Sequence, residues 1–172
     1  MRFIRLSVIV LFSVVCRMVS AQDATYVDLG LSVKWSTVNT GITAERPAGD
    51  YYRWTDAVAI KTTDGSRMGT KAEWEELRKY CTWKWTEQNG IKGYLVTSKI
   101  KGFTNNSIFL PAAGKRYATS LFDDGSYAGY WTSSLYSGLT YYAESFFGLD
   151  EDWFELFYST RENGMPVRPV LP

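Results

Sequence analysis

TKAEWEELRKYC, Thr70 to Cys81, is the one strong helix signal in the chain, and its setting decides the fold class. Thr70 followed three residues later by Glu73 forms a capping box, and Ala72, Glu73, Glu75 and Glu76 suit a helix start. Trp74, Leu77 and Cys81 recur at i, i+3 and i+7, so they predict one apolar stripe. Downstream, WKWT, the turn pair Asn89-Gly90 and IKGYLVTS have the pattern of strands joined by a hairpin. NSIFLPAAG, Asn106 to Gly114, is a short apolar run ended by Pro and Gly. Beyond it YAGYWTSS, TYYAESFFG, WFELFYS and PVRPVL read as repeated short strands. Upstream, Thr25 to Asn39 reads as two short strands or one bent strand. It is followed by the irregular loop GITAERPAGD, an aromatic cluster at Tyr51, Tyr52 and Trp54, and a polar loop from Lys61 to Gly69. One main helix with several short antiparallel strands implies an α+β fold, not a parallel α/β enzyme.

Composition narrows the chemistry. The 172 residues contain no histidine, which removes Ser-His-Asp and Cys-His catalysis and every zinc site built on imidazole. Apolar residues make up 45% and charged residues 22%, a globular balance. Aromatic content is high, with seven Trp and twelve Tyr, and points to binding before chemistry. Met1 to Ala21 has a basic start at Arg2 and Arg5, an apolar run from Leu6 to Cys16 and small residues at Val19-Ser20-Ala21. This is the pattern of a secretory signal peptide, and the run is too short to span a bilayer. The expected domains are therefore a signal peptide, 1–21, and a single domain, 22–172, exported to the periplasm, the cell surface or the medium. Cleavage removes Arg2, Arg5 and Arg17 and no acid, so the net charge moves from +1 to −2. Cys81 is then the one remaining cysteine, and the fold must rest on its core rather than on a disulfide.

Several strings coincide with a known family: YVDLGLSVKW (Tyr26 to Trp35), RMGTKAEWEEL (Arg67 to Leu77), CTWKW (Cys81 to Trp85), SIFLPAAGKR (Ser107 to Arg116), GYWTSS (Gly129 to Ser134) and the ending from Arg161 to Val170 with its VRPV. In order and across most of the mature chain, they resemble the secreted major paralogous domain abundant in Fibrobacter and Bacteroidetes. The resemblance implies a C-type-lectin-like fold, the broad fold of the formylglycine-generating enzyme and of variable proteins diversified by retroelements. The sequence departs from that pattern at Gly69, where proline is usual, and at Gly148, where a large apolar residue is usual. Trp54 is followed by Thr-Asp where Gly-Glu is common.

The resemblance does not carry an activity with it. The oxygenases of this fold use a pair of cysteines near the chain end, and here no cysteine follows Cys81. The Glu-Pro-Asn, Gln-Pro-Asp and Trp-Asn-Asp strings of calcium-dependent lectins are missing too, since Trp153 is followed by Phe154 and Glu155. Asp123-Asp124-Gly125 and Asp150-Glu151-Asp152 supply only part of a calcium ligand set, so no metal or other cofactor is expected. No pair of acids is placed to face across a sugar as a glycosidase requires, and the reading is of a protein that is not an enzyme.

Charge is unevenly distributed. No Lys or Arg lies between Arg116 and Arg161, while Asp123, Asp124, Glu144, Asp150, Glu151, Asp152 and Glu155 fall there among many aromatics. Residues 22–116 hold 14 basic and 10 acidic side chains. Strand alternation sends half of those aromatics inward and half outward. Tyr136, Tyr141, Tyr142, Phe147, Asp150, Asp152 and Trp153 are accordingly the expected ligand-binding residues of an aromatic, acidic C-terminal face. Such a face suits a glycan or a protein ligand and repels nucleic acid. Nothing in the residues sets an oligomeric state. The competing readings are a structural or adhesive subunit of a cell-surface assembly and a retroelement-diversified binding protein. In the last, adenine-directed codon changes would vary Tyr136, Ser137, Tyr141, Tyr142, Ser145, Phe147, Asp150 and Asp152. Glu144, Glu151, Trp153 and Glu155 would have to stay fixed.

Overall fold

The structure, a computed structural model, describes residues 25–149 and 153–172, so the expected signal peptide lies outside the described residues. The first half runs β1 (Tyr26–Val27), β2 (Lys34–Ser36), α1 (Trp54–Ala59), β3 (Arg67–Met68), α2 (Lys71–Tyr80), β4 (Cys81–Gln88) and β5 (Ile91–Ser98). The second half runs β6 (Ser107–Pro111), β7 (Lys115–Tyr117), β8 (Ser120–Phe122), β9 (Tyr127–Leu135), β10 (Tyr142–Leu149), β11 (Trp153–Thr160) and β12 (Pro169–Leu171). All strand pairs are antiparallel, which makes the class α+β. The sheet orders are β1-β2-β12-β3, β4-β5-β6, β11-β10-β9 and β7-β8. In the first of these β12, from the chain end, lies between β2 and β3.

Local chemistry accounts for α2. Thr70 is its extended N-cap: its Oγ1 accepts from the Glu73 N–H at 3.3 Å, and the Thr70 N–H donates to Glu73 Oε2 at 2.7 Å. Arg67 then grips the same carboxylate with two N–H groups, at 2.6 and 2.9 Å. Burial pushes the Glu73 carboxyl up, but the Arg67 fork and the Thr70 N–H outweigh it and hold the group below its usual value. The helix ends one residue before the expected boundary, because Cys81 turns extended and opens β4. Its side chain nevertheless stays buried beside Trp74 and Leu77 in one core cluster. Burial pushes the Cys81 thiol up to about 11, with Lys99 pulling weakly the other way. A thiol-reactive dye should therefore label the native protein orders of magnitude more slowly than the denatured chain. Equal rates would remove Cys81 from the core.

The β4–β5 hairpin turns at Asn89 (φ 52°) and Gly90 (φ 79°), the left-handed pair that matches strand twist in a two-residue turn. Two segments differ from expectation. Trp54 to Ala59, in a stretch without helix signals, forms α1, and Arg67–Met68 pairs with β12 inside the stretch expected as loop. Helix α1 has no side-chain N-cap, so tertiary contacts hold it. The Trp54 indole N–H donates to Thr132 O at 2.8 Å, and the Arg161 guanidinium lies 4.5 Å over the Trp54 ring.

The main core is built on a column of rings. Trp74 stacks on Phe146 (5.0 Å), Phe146 on Trp83 (5.0 Å) and Trp83 on Phe154 (4.9 Å), joining α2, β10, β4 and β11. Trp35 meets Trp74 edge-on at 4.9 Å. Gly148 belongs to this packing: a Cβ there would meet the Tyr94 ring at 2.6 Å, so the large residue usual at this place would collide with β5. The register of β10 on β11 is unbroken through Gly148↔Phe154, and the irregularity of the sheet lies instead between β9 and β10 near Ala143 and Ser145. A second cluster gathers Trp54, Ala57, Met68, Trp131, Ala143, Met165 and Val167. Trp74, on the predicted stripe, is fully buried, and so is Trp131.

Candidate functional site

Of the expected ligand-binding residues that the structure describes, Tyr142, Phe147 and Trp153 lie on the β11-β10-β9 sheet and Tyr136 and Tyr141 on the connection between β9 and β10, and they gather in two places. Strand alternation puts Tyr142, Glu144, Phe146 and Gly148 on one face of β10 and Ala143, Ser145, Phe147 and Leu149 on the other. Tyr142 and Phe147 thus point to opposite faces and lie about 17 Å apart along the strand at 3.4 Å per residue. Asp150 and Asp152 lie outside the described residues.

The first group is a tyrosine cluster. Tyr136 packs 4.3 Å from Tyr158 and 6.2 Å from Tyr142, Tyr142 lies 4.8 Å from Tyr158, and Tyr141 leans on Tyr142 at 4.5 Å. It is formed where the end of β9, the start of β10 and the end of β11 meet. Tyr141 is 57% exposed, and Leu135 at the end of β9 and Leu139 in the β9–β10 connection are exposed as well. Tyr158 is a member that the sequence reading left out. Its place follows from pairing with Glu144, which sets it two positions from Tyr142 on the same face.

The second group is Trp153, 50% exposed, against Phe147 at 5.0 Å, with Phe147 in turn 4.8 Å from the buried Tyr127. The Lys115 ammonium lies 5.2 Å over the Tyr127 ring.

The acids do not gather with the aromatics in the way their sequence run implies. Glu144 is buried and ion-paired to Lys71 of α2 at 2.9 Å, which takes its charge away from the surface. Arg161 borders the tyrosine cluster, with its backbone N–H on Tyr141 O and its side chain on Thr140 O at 3.1 Å. Ser145, one of the positions expected to vary under diversification, is 2% exposed and lies beneath the surface.

Asp124 lies elsewhere, on a cavity of about 620 Å³ that the sequence reading did not find. Three distant segments line it: the loop from Glu45 to Tyr51, the β4–β5 turn with Glu87, Ile91 and Lys92, and the β7–β8 region with Arg116, Leu121 and Asp124. Arg46 pairs with Asp50 at 3.0 Å, and the Arg116 guanidinium covers the Tyr51 ring at 4.9 Å. The Tyr51 hydroxyl donates to Ala113 O, and burial, reinforced by Asp124, pushes it up to about 12, so it remains a protonated donor. The lining contains no Ser, Thr or Cys, and its interspersed acids and bases present hydrogen-bonding groups of both signs. The one hint in the sequence was the Gly- and Pro-containing loop before Tyr51.

Among the described residues no three His, Cys, Asp or Glu side chains come together as a metal site, and no helix is long and apolar enough to cross a membrane. Comparison of the chain with protein-family models, with curated proteins and with solved structures finds no match.

Proposed function

We propose that this chain is an exported, non-catalytic binding domain of C-type-lectin-like fold that recognises a glycan or protein ligand through the tyrosine cluster. The supporting observation is the meeting of Tyr136, Tyr141, Tyr142 and Tyr158 at one end of a sheet anchored in the core, with Tyr141 more than half exposed. Tyrosine offers a large contact area, a ring that stacks on sugars or side chains, and a hydroxyl that hydrogen-bonds, at the entropic cost of only two side-chain torsions. Packing the four rings against one another lowers that cost further, since each ring restricts its neighbour before a ligand arrives. Trp153 and Phe147 provide a separate aromatic contact on the opposite face.

The test is a glycan array together with a panel of proteins from the cell envelope, read with the parent protein and with Tyr141→Ala. The variant should lose tenfold or more in affinity, the scale of an interface tyrosine, while its unfolding free energy changes by less than about 1 kcal/mol. Undiminished binding by the variant would remove the cluster from the site. The 620 Å³ cavity favours a second reading, a small polar ligand held between its carboxylates and Arg116 or Lys92. Under that reading Arg116→Ala, not Tyr141→Ala, abolishes binding.

A further inference from the structure

We propose, resting on the reading of the 620 Å³ cavity as a ligand site, that its ligand is a short zwitterionic peptide whose free carboxylate is held by Arg116 and whose free ammonium is held by Asp124. The charges of the lining fall into three sets. Arg46 and Asp50 neutralise one another at 3.0 Å. Glu87 and Lys92 stand directly opposite in the β4–β5 register, so each offsets the field of the other. Arg116 and Asp124 are left over: among the described residues neither side chain forms an ion pair or a hydrogen bond. Both nevertheless border Tyr51. The Arg116 guanidinium lies 4.9 Å over its ring, and the Asp124 carboxylate is near enough to act on its hydroxyl. Two opposite charges are thus held beside one ring without meeting, and a ligand with one charge of each sign neutralises both. A guanidinium laid over a ring keeps its N–H edge free, the edge that takes a carboxylate in a two-point grip.

The backbone fixes both groups in place. Arg116 exchanges its N–H and C=O with Gly164 at 2.7 and 2.8 Å. Glycine permits that approach, since a Cβ at Gly164 would stand 3.0 Å from the Arg116 Cβ and 3.3 Å from the Tyr51 Cβ. Asp124 lies between two left-handed residues, Asp123 (φ 60°) and Gly125 (φ 75°). Their turn is closed by the Gly125 N–H on Ala112 O at 2.8 Å and the Tyr127 N–H on Asp123 O at 2.9 Å. The facing wall is anchored as well, with Asn39 donating to Ala48 O at 2.7 Å and the Asp50 N–H to Thr40 O at 2.9 Å. Walls held in this way lose little freedom when a ligand enters.

The same lining selects a zwitterion over other small polar ligands. It carries four carboxylates against three basic groups, so a phosphate or a polyanion meets net repulsion. Among the described residues Tyr51 is the one aromatic ring of the lining, and Arg116 covers its face, which takes away the platform on which a sugar would stack. Ile91 and Leu121 add apolar surface for an aliphatic side chain. The volume exceeds what a single amino acid fills and suits a peptide of about two or three residues.

The test is equilibrium dialysis of the purified protein against a mixture of unblocked dipeptides and, separately, against cellobiose, followed by calorimetric titration of the best-retained dipeptide, its N-acetyl derivative and its C-terminal amide. The unblocked dipeptide should bind, and blocking either end should weaken it roughly tenfold or more. Arg116→Ala should weaken the unblocked dipeptide by a similar factor and leave the amide unchanged, because the amide has no carboxylate to lose. Asp124→Asn should in the same way spare the N-acetyl derivative. A wall that is merely disturbed would not match each variant to one end of the ligand. Arg116 and Asp124 are exposed, so both variants should melt with the parent. Binding of cellobiose without any dipeptide would overturn the zwitterion and keep the cavity as a ligand site, whereas retention of neither would overturn both. Equal affinity for blocked and unblocked dipeptides would overturn the roles of Arg116 and Asp124.

Discussion

Replacing Trp74 with alanine is expected to lower the unfolding free energy by about 3–5 kcal/mol, read from urea or guanidinium unfolding. Trp74 is fully buried, stacks on Phe146, meets Trp35 edge-on and lies 5.5 Å from Tyr130. Removing the indole leaves a void at the head of the four-ring column, and neighbours fixed on β2, β9 and β10 cannot all move to fill it. Small domains have about 5–15 kcal/mol in total, so the variant would be near the limit of folding. At about 2–4 °C per kcal/mol for a domain of this size, the melting temperature should fall by roughly 10 °C. Trp74→Phe keeps a ring against Phe146 and should cost clearly less. A loss below about 1 kcal/mol for Trp74→Ala would mean that the column does not hold the helix to the sheets.

Arg168→Ala should be comparably damaging, at about 3–6 kcal/mol. Arg168 is 1% exposed, and its two terminal nitrogens donate to Ser36 O and Phe109 O, each at 2.8 Å. Among the described residues no carboxylate pairs with it, and burial lowers its pKa, with Tyr130 opposing, so the guanidinium is held by backbone carbonyls and the Tyr130 hydroxyl. Charge-assisted hydrogen bonds contribute about 1.5–3 kcal/mol each, and there are two. They join β2 to β6, elements of different sheets, at the residue just before β12. Lysine carries the charge but lacks the planar fork, so Arg168→Lys should recover little of the loss. An Arg168→Lys protein as stable as the parent would show that charge alone matters there.

What the sequence determined by itself is what is local along the chain. The Thr70–Glu73 capping box, the Trp74–Leu77 stripe and the Asn89-Gly90 hairpin each depend on residues within about one helical turn or one tight turn, and each is found in the structure. With the single main helix and the repeated short strands, these signals were enough for the α+β class. Long-range packing decided the rest. Helix α1 has no cap, and its anchors are Thr132 and Arg161, far away in sequence. The tolerance of Gly148 depends on a Tyr94 ring from another sheet. The cavity draws its walls from three segments that only folding brings together. The acidic run forms one surface only if neighbours in sequence are neighbours in space. In the fold Glu144 turns inward to Lys71, Asp124 reaches the cavity, and Tyr142 and Phe147 take opposite faces of β10. The physical reason is that periodicity sets which side of a strand a residue occupies, whereas which side meets solvent depends on what the rest of the chain packs against it.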